Sequence, residues 1–393
     1  MVIHLDFHYN IKINSMKYNL IVVNGRFLEQ KITGVQRFAL ETVKAFDKIL
    51  YEEKACQNFP EIILAISNKA KKENIPSLKC IKILTVGNRH GILWSQTDLA
   101  LYIIRNKALG IHLCNAVPFL TPRGIVCIHD ISYKTHPEFV TTRKHRLIKI
   151  WHLLQNRVSL KKSIAVLTVS KTSKKEICDV YKISSNKVTV TYNGWQHFSP
   201  QYDKSVTLEQ FPFLKSKNFF FSMSSLGKNK NFKWILEIAR RNPGLIFAVA
   251  GNNDVKKYGE TFCIEKKLNN VHYLGYVTDD QAKMLMKESK AFIFPSIYEG
   301  FGIPPLEALA MGTKVICSNA SCLPEIFMDT VYYIDPYNCD INFDELLKTK
   351  VAPAEKVLNL YTWENTAKRI FEVIISCISE EDNHKGTSKN CNF

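Results

Sequence analysis

The sequence predicts an α/β protein with two Rossmann-like, doubly wound domains that face each other across a cleft. Short, nearly continuous apolar runs recur along the 393 residues, and strands buried on both faces of a parallel sheet have this pattern. Helical stretches separate many of these runs, which is the β-α alternation of doubly wound folds. The length is typical of two or three domains, at about 100–200 residues each.

The apolar runs place the expected strands in two groups, one in each half of the chain. In the first half they cover residues 18–24, 61–66, 81–86, 111–114, 124–128, 165–169 and 187–192. In the second half they cover residues 219–223, 245–250, 271–274, 291–294, 314–317 and 331–334. The clearest helical stretches between them are 35–50, 232–240, 278–289 and 306–311. Each half can therefore bury a core of its own.

A proline-containing stretch without periodicity separates the two groups of strands and predicts an interdomain linker. The expected division in chain order is a candidate dispensable extension (1–15), an N-terminal Rossmann-like domain (16–199), the linker (200–216), a C-terminal Rossmann-like domain (217–360), a C-terminal helix that can cross back to the N-terminal domain (361–378) and a polar tail (379–393). The composition of that tail is typical of disorder.

Composition narrows the class of protein. The 46% of hydrophobic residues exclude wholesale disorder. The 11 cysteines are scattered without a CxxC pair, which favours reduced thiols in the cytoplasm and predicts no zinc site. The N-terminus lacks the pattern of a signal peptide, and no uncharged apolar run reaches about 18 residues, so no membrane-spanning helix is expected.

Positive charge is in large excess and is unevenly spread. Lys and Arg number 53 against 36 Asp and Glu, a formal net charge of +17. Such an excess favours an anionic partner: nucleic acid, an acidic membrane surface or phosphorylated substrates. The segment from Thr141 to Lys175 holds many bases and no acid, with Leu147, Trp151 and Leu154 at helical spacing. It fits either an ordinary packed surface helix or a helix that docks on anionic lipid.

The segment PSIYEGFGIPPLEALA, residues 295–310, carries the most chemical information. It follows a buried strand, and glycines there let backbone N–H groups approach a ligand closely. Proline is favoured at the first helical position, so a helix is expected to start near Pro304 or Pro305. A helix start suits a diphosphate, with Glu307 in the first turn able to accept hydrogen bonds from a ribose diol. The alternative is an ordinary helix start with acids favoured by the dipole.

At this segment the sequence resembles a known family. EGFGIPPLEALAMGTKVICSNASCLPEI resembles the signature of the retaining glycosyltransferases of family four, which have the GT-B fold. Other segments resemble that family in the expected order: GVQR, IHDISYKTHPEF, LTVSKTSKKEI, VTYNGW, SLGKNKNF, YYIDPYN and YTWENTAKRI. The resemblance covers residues 16–376.

The resemblance implies roles for individual residues. The catalytic residues that it implies are His129, beside the reacting carbon of the donor sugar, and Glu299. The donor-binding residues that it implies are Lys230, Glu299, Gly300, Phe301, Gly302 and Glu307. Lys230 would neutralise the diphosphate, and Glu307 would bind the ribose. Candidates for additional phosphate or acceptor contacts are Gly34, Arg37 and Lys228.

The chain departs from the family at the phosphate loop. Family members usually pair the lysine of this loop with a nearby arginine, but Asn229 stands beside Lys230, and residues 222–227 contain no base. Lys228 or, from the other domain, Arg37 would have to supply the second charge. This departure keeps a non-catalytic GT-B partner protein as an alternative function.

The function implied is transfer of a hexose (mannose, rhamnose, galactose or glucose) from a nucleotide-diphosphate sugar, with retention of configuration. The expected acceptor is a hydroxyl of a lipid-linked glycan in O-antigen, capsule or lipopolysaccharide assembly. It is reached from the cytoplasm at the inner face of the membrane, with the segment from Thr141 to Lys175 as the membrane contact. No cofactor is expected, and no metal, because the sequence has no Asp-x-Asp motif.

Two further alternatives stay open. A sugar-nucleotide epimerase could use the same fold without an acceptor. A nucleic-acid-binding protein would fit the charge, but the aromatic residues do not alternate with the basic run as a stacking platform requires.

Overall fold

The computed structural model describes residues 2–5, 9–12, 16–53, 59–115, 117–121, 124–139, 143–214, 218–223, 227–251 and 268–379. Within these residues two parallel sheets, each with helices packed on it, form two α/β domains. The predicted fold class is confirmed. Every run predicted as a strand overlaps a strand of the structure. Residues 380–393, in the predicted disordered tail, residues 215–216, at the end of the predicted linker, and residue 217, the predicted start of the C-terminal domain, lie outside the described residues.

The N-terminal domain contains a parallel sheet of seven described strands in the order β5-β4-β3-β6-β7-β8-β9. These strands are β3 (Leu20–Asn24), β4 (Glu61–Ile66), β5 (Lys82–Thr85), β6 (Leu109–His112), β7 (Ile125–Cys127), β8 (Ala165–Thr168) and β9 (Val188–Val190). Ahead of them, β1 (Val2–Leu5) and β2 (Tyr9–Lys12) pair antiparallel within the candidate extension. This hairpin was not expected from the sequence.

The C-terminal domain contains a parallel sheet of six described strands in the order β12-β11-β10-β13-β14-β15. These are β10 (Phe219–Met223), β11 (Ile246–Ala250), β12 (Val271–Gly275), β13 (Ala291–Phe294), β14 (Val315–Ser318) and β15 (Tyr332–Ile334). The order reverses between β10 and β13. In open α/β sheets, ligands bind outside the carboxyl ends of the strands at such a switch point.

Helices connect the strands in both domains. In the N-terminal domain they are α1 (Gly34–Glu52), α2 (Gly91–Gln96), α3 (Asp98–Arg105), α4 (Ser132–Thr135), α5 (Arg143–Lys162) and α6 (Lys171–Tyr181). The later ones are α7 (Phe232–Arg241), α8 (Asp279–Glu288), α9 (Ile303–Ala310), α10 (Leu323–Phe327), α11 (Phe343–Leu346), α12 (Glu355–Leu358) and α13 (Trp363–Ile378). None of the helices described is both long and apolar enough to cross a bilayer.

The last helix, α13, packs on the N-terminal domain although the chain reaches it from the C-terminal domain. Phe371 of α13 stacks on Phe59 and contacts Phe46 of α1 edge-on, with ring centroids 5.2 and 5.4 Å apart. At the end of the helix, Met16 and Ser379 form an antiparallel bridge. Ser379, predicted to begin the tail, is therefore ordered by pairing with the N-terminal domain. The polypeptide crosses between the domains twice, once before the C-terminal domain in sequence and once after it.

The cysteines differ from the expectation in one place. Cys80 is disulfide-bonded, so the prediction of reduced thiols is wrong at this position. The free cysteines among the described residues are Cys114, Cys127, Cys178, Cys317, Cys322, Cys339 and Cys377.

Candidate functional site

A cleft of about 810 Å³ lies between the two domains. The first residues of α1 line it from one side, and the loop that leads into α9 lines it from the other. Residues predicted from the sequence that line this cleft are Gly34, Arg37, His129, Lys230, Glu299, Gly300, Phe301 and Gly302. The fold thus brings together side chains that are up to about 270 positions apart in the chain, and it does so at the carboxyl ends of strands, as doubly wound folds do.

The helix α9 begins earlier than the prolines predicted. Gly302 precedes the helix with φ +100°, and Ile303 is the first helical residue. Pro304 and Pro305 then occupy the second and third positions, where a missing N–H costs little because no intrahelical acceptor is available. The predicted placement of Glu307 in the first turn is therefore wrong, because it is the fifth helical residue.

This helix start offers a row of unused backbone donors. The N–H groups of Gly300, Phe301, Gly302 and Ile303 donate no hydrogen bond to any atom of the described residues. Donors at a helix N-terminus, together with the positive end of the helix dipole, bind phosphate groups. Because prolines follow directly, the donors that remain are concentrated in the glycine loop rather than in the first helical turn.

Gly300 lies close to the N-terminal domain. A Cβ atom added there would lie 2.9 Å from the carbonyl oxygen of His129 in the other domain. On the opposite wall, a Cβ on Gly34 at the start of α1 would lie 3.7 Å from Cδ1 of Ile303. The N-termini of α1 and α9 therefore face each other across the cleft.

Lys230 and Glu299 form an ion pair on the floor of the cleft. Lys230 Nζ lies 2.6 Å from Glu299 Oε1, and both side chains are largely buried. Ser296 Oγ donates to the same carboxylate oxygen at 2.5 Å. The main chain of Glu299 is also fixed, since its carbonyl accepts from Ser321 Oγ at 2.9 Å and from Cys322 Sγ at 3.2 Å. Lys230 is thus held beside the free N–H groups as a positioned cation.

His129 is buried, and its tautomer follows from its hydrogen bond. Nε2 lies 2.9 Å from the carbonyl oxygen of Leu113, which can only accept, so Nε2 carries the proton. Burial lowers the pKa of His129 below its ordinary value. The ring is therefore neutral at pH 7, and Nδ1 is an acceptor. Phe38 holds the ring edge-on, with centroids 4.8 Å apart.

Glu307 and Lys228 do not line the cleft. Glu307 is buried, and its Oε1 lies 2.8 Å from Nε2 of His197, which is near the end of the predicted N-terminal domain. Lys228 is exposed, and its Nζ lies 3.4 Å from the carbonyl oxygen of Glu138 in the other domain. Lys228 therefore does not supply the second charge at the diphosphate in this arrangement. Arg37 does line the cleft and contacts Asp279 Oδ2 at 3.4 Å.

Several contacts hold the domains together, and sequence reasoning missed them. Glu325 of α10 accepts hydrogen bonds from the backbone N–H groups of Lys171 and Thr172 at 2.7 and 2.9 Å. A carboxylate of one domain thereby caps the N-terminus of α6 in the other. Tyr298 also donates to Glu176 at 2.6 Å. No local pattern in the sequence indicates partners this far apart.

Comparison with known proteins identifies relatives. Residues 203–348 match the family described as glycosyl transferases group 1. O-antigen chain mannosyltransferase B of Escherichia coli is 24% identical over 86% of this chain and 94% of that protein. An uncharacterized glycosyltransferase of Methanocaldococcus jannaschii is 30% identical over 55% of this chain, and this chain covers 61% of that relative. The resemblance noted in the sequence is confirmed.

A solved structure supports the fold. The Anabaena protein HepE, determined in complex with UDP and glucose, matches with a TM-score of 0.64 at 15% identity. The match covers 91% of this chain and 99% of that protein. At this identity the similarity shows the fold.

The geometry predicts that the loop before α9 binds a diphosphate and that Lys230 contributes most of the side-chain charge. Lys230→Met should weaken binding of inorganic diphosphate about tenfold or more, because it removes a charge-assisted contact. Lys228→Met is the matched control, since it removes the same charge outside the cleft, and it should change the dissociation constant less than about twofold. Calorimetry at fixed ionic strength measures both. Equal losses in the two variants would show that binding follows overall charge rather than this site.

Proposed function

We propose that this chain, which carries a group 1 glycosyltransferase domain on a GT-B fold, transfers a hexose from a nucleotide-diphosphate sugar to a hydroxyl of a lipid-linked glycan. The observation that carries the proposal is the row of free N–H groups from Gly300 to Ile303 beside Lys230 in the interdomain cleft. Mannose is the first sugar to test because of the Escherichia coli relative, followed by rhamnose, galactose and glucose.

The main requirement of this reaction is that negative charge on the leaving diphosphate is stabilised. As the bond from the anomeric carbon to the phosphate oxygen breaks, negative charge grows on that oxygen, and preorganised donors stabilise it. Lys230 and the loop N–H groups supply positive charge at fixed positions. The proposal therefore includes no metal and no cofactor besides the donor.

Retention is proposed to follow from attack on the same face that the diphosphate leaves. The acceptor hydroxyl forms the new bond to the anomeric carbon, and its proton passes to the departing phosphate oxygen. A double displacement through Glu299 is less favourable, since its Oε1 already accepts from Lys230 and Ser296, which lowers its nucleophilicity. Neutral His129, with Nδ1 as an acceptor, is suited to a hydroxyl of the donor sugar.

Glu307 is proposed to bind the ribose of the donor. It lies one turn after Ile303 on the same face of α9, and Ile303 lines the cleft. Residues four apart on a helix lie one above the other. Glu307 is therefore on the same face of α9 as a residue that lines the cleft.

The exposed face of α5 is proposed to dock on an anionic membrane from the cytoplasmic side. Ile150 is 62% exposed and Leu154 50% exposed, and the exposed Arg157 and Lys161 continue the same face at helical spacing. Leu154, one of the apolar residues noted at helical spacing, is thus exposed, whereas the neighbouring Gln155 is buried. Exposed apolar side chains with adjacent bases are typical of helices that lie on anionic lipid.

A donor panel tests the transfer reaction. GDP-, UDP- and dTDP-sugars are offered with lipid-diphosphate oligosaccharides, and products are identified by mass. One donor should add a single hexose to the acceptor, and Glu307→Ala should weaken donor binding about tenfold, because the ribose loses a charge-assisted hydrogen bond. Release of free nucleotide without acceptor would indicate an epimerase instead. Nucleotide binding without turnover on any acceptor would favour a non-catalytic partner protein.

Vesicle co-sedimentation tests the membrane contact. The chain should bind vesicles that contain phosphatidylglycerol and not those of phosphatidylcholine alone, and binding should fall as salt rises. The double variant Ile150→Ser, Leu154→Ser should weaken binding about tenfold, since it removes apolar area that would enter the interface. Ile92→Ser, Leu93→Ser changes two exposed apolar residues on another helix, α2, and is the control. Equal loss in the control would contradict the assignment to α5.

A further inference from the structure

We infer that His197, in the segment that joins the two domains, is a positioning residue that orients the Glu307 carboxylate toward the donor. The inference rests on the proposed function, because it assumes that Glu307 meets the donor ribose. It adds a residue that neither the family motifs nor the sequence indicated, and it adds a connection between the interdomain joint and donor binding.

The hydrogen bonds of His197 leave one protonation state. Trp363 Nε1, which can only donate, lies 3.0 Å from His197 Nδ1, so Nδ1 must be the acceptor. The ring proton is therefore on Nε2, which lies 2.8 Å from Glu307 Oε1. A proton on both nitrogens would place two donors against each other at the indole. The trio is thus a directed chain from Trp363 through neutral His197 to the Glu307 carboxylate.

This series of hydrogen bonds fixes one carboxylate oxygen of Glu307, Oε1, and leaves the other, Oε2, without a hydrogen bond from the described residues. The Glu307 side chain is 9% exposed, whereas the His197 side chain is only 2% exposed. A carboxylate held through one oxygen has a single orientation for its second oxygen. That oxygen can then accept from a ribose hydroxyl without paying for rotamer freedom on binding.

His197 and its partner Trp363 belong to the two crossings between the domains. His197 lies in the turn Gln196–Phe198, which follows the N-terminal sheet, and Trp363 is the first residue of α13. These crossings are bonded to each other, since Trp363 N–H donates to Gln196 Oε1 at 3.0 Å and Trp195 Nε1 donates to the Leu358 carbonyl at 3.0 Å. The hydrogen bonds between the two crossings therefore fix the position of His197. His197 in turn fixes the position of the Glu307 carboxylate on α9.

Binding of nucleoside diphosphates with and without the hydroxyls at the 2′ and 3′ positions of the sugar ring, of which dTDP carries only the 3′ hydroxyl, tests the inference. UDP, GDP and dTDP are screened by calorimetry, and the one that binds the native chain is compared with its 2′,3′-dideoxy form. The native chain should bind the dideoxy form about tenfold more weakly, since a hydroxyl-to-carboxylate bond is lost. In His197→Leu this ratio should fall below about twofold. A purely structural role would weaken both ligands equally and leave the ratio unchanged.

Two further variants separate positioning from damage to the fold. His197→Gln keeps an N–H donor that can reach Glu307, and it should retain the tenfold ratio. In the Glu307→Ala background, His197→Leu should add less than about a twofold change, because a residue that acts through Glu307 has nothing left to orient. Native discrimination in His197→Leu would overturn this inference and leave the proposed function standing. Failure of every nucleotide to bind the native chain would overturn both.

Discussion

The close approach of the two domains at Gly300 is the constraint on which the rest of the site depends. The loop before α9 passes so near the His129 carbonyl that a Cβ at position 300 would lie 2.9 Å from it. Because the loop is this close, its free N–H groups and Lys230 face the neutral His129 ring across one narrow cleft. A leaving group stabilised by one domain and a sugar contacted by the other can then be held in the same place, as transfer requires.

Polar contacts across the domain boundary maintain this approach. The Glu325 carboxylate satisfies two N–H groups at the start of α6, and Arg37 contacts Asp279 at the rim of the cleft. These groups are partly exposed, so each contact contributes modestly to stability. Their distribution around the cleft matters more than their strength, because contacts of this kind can break and re-form when a donor enters or a product leaves.

The sequence was sufficient to predict both sheets, because strands buried on both faces must be apolar at nearly every position. The sequence was a less reliable guide to the first residue of a strand or helix where a glycine determines the backbone conformation. Gly110 interrupts the apolar run, so β6 starts earlier than predicted, and Gly302 starts α9 ahead of its prolines through a positive φ that no pattern reveals. The His197–Glu307 contact joins residues 110 positions apart, and only the folded arrangement of the turn Gln196–Phe198 against α9 brings them together.

The central claim is that the loop before α9 holds the diphosphate of the donor, and a crystal structure of the chain soaked with its nucleoside diphosphate tests it most directly. Phosphate oxygens are expected about 3 Å from the N–H groups of Gly300 to Ile303 and from Lys230 Nζ. A diphosphate bound instead among the exposed bases of α5, with the loop empty, would contradict it.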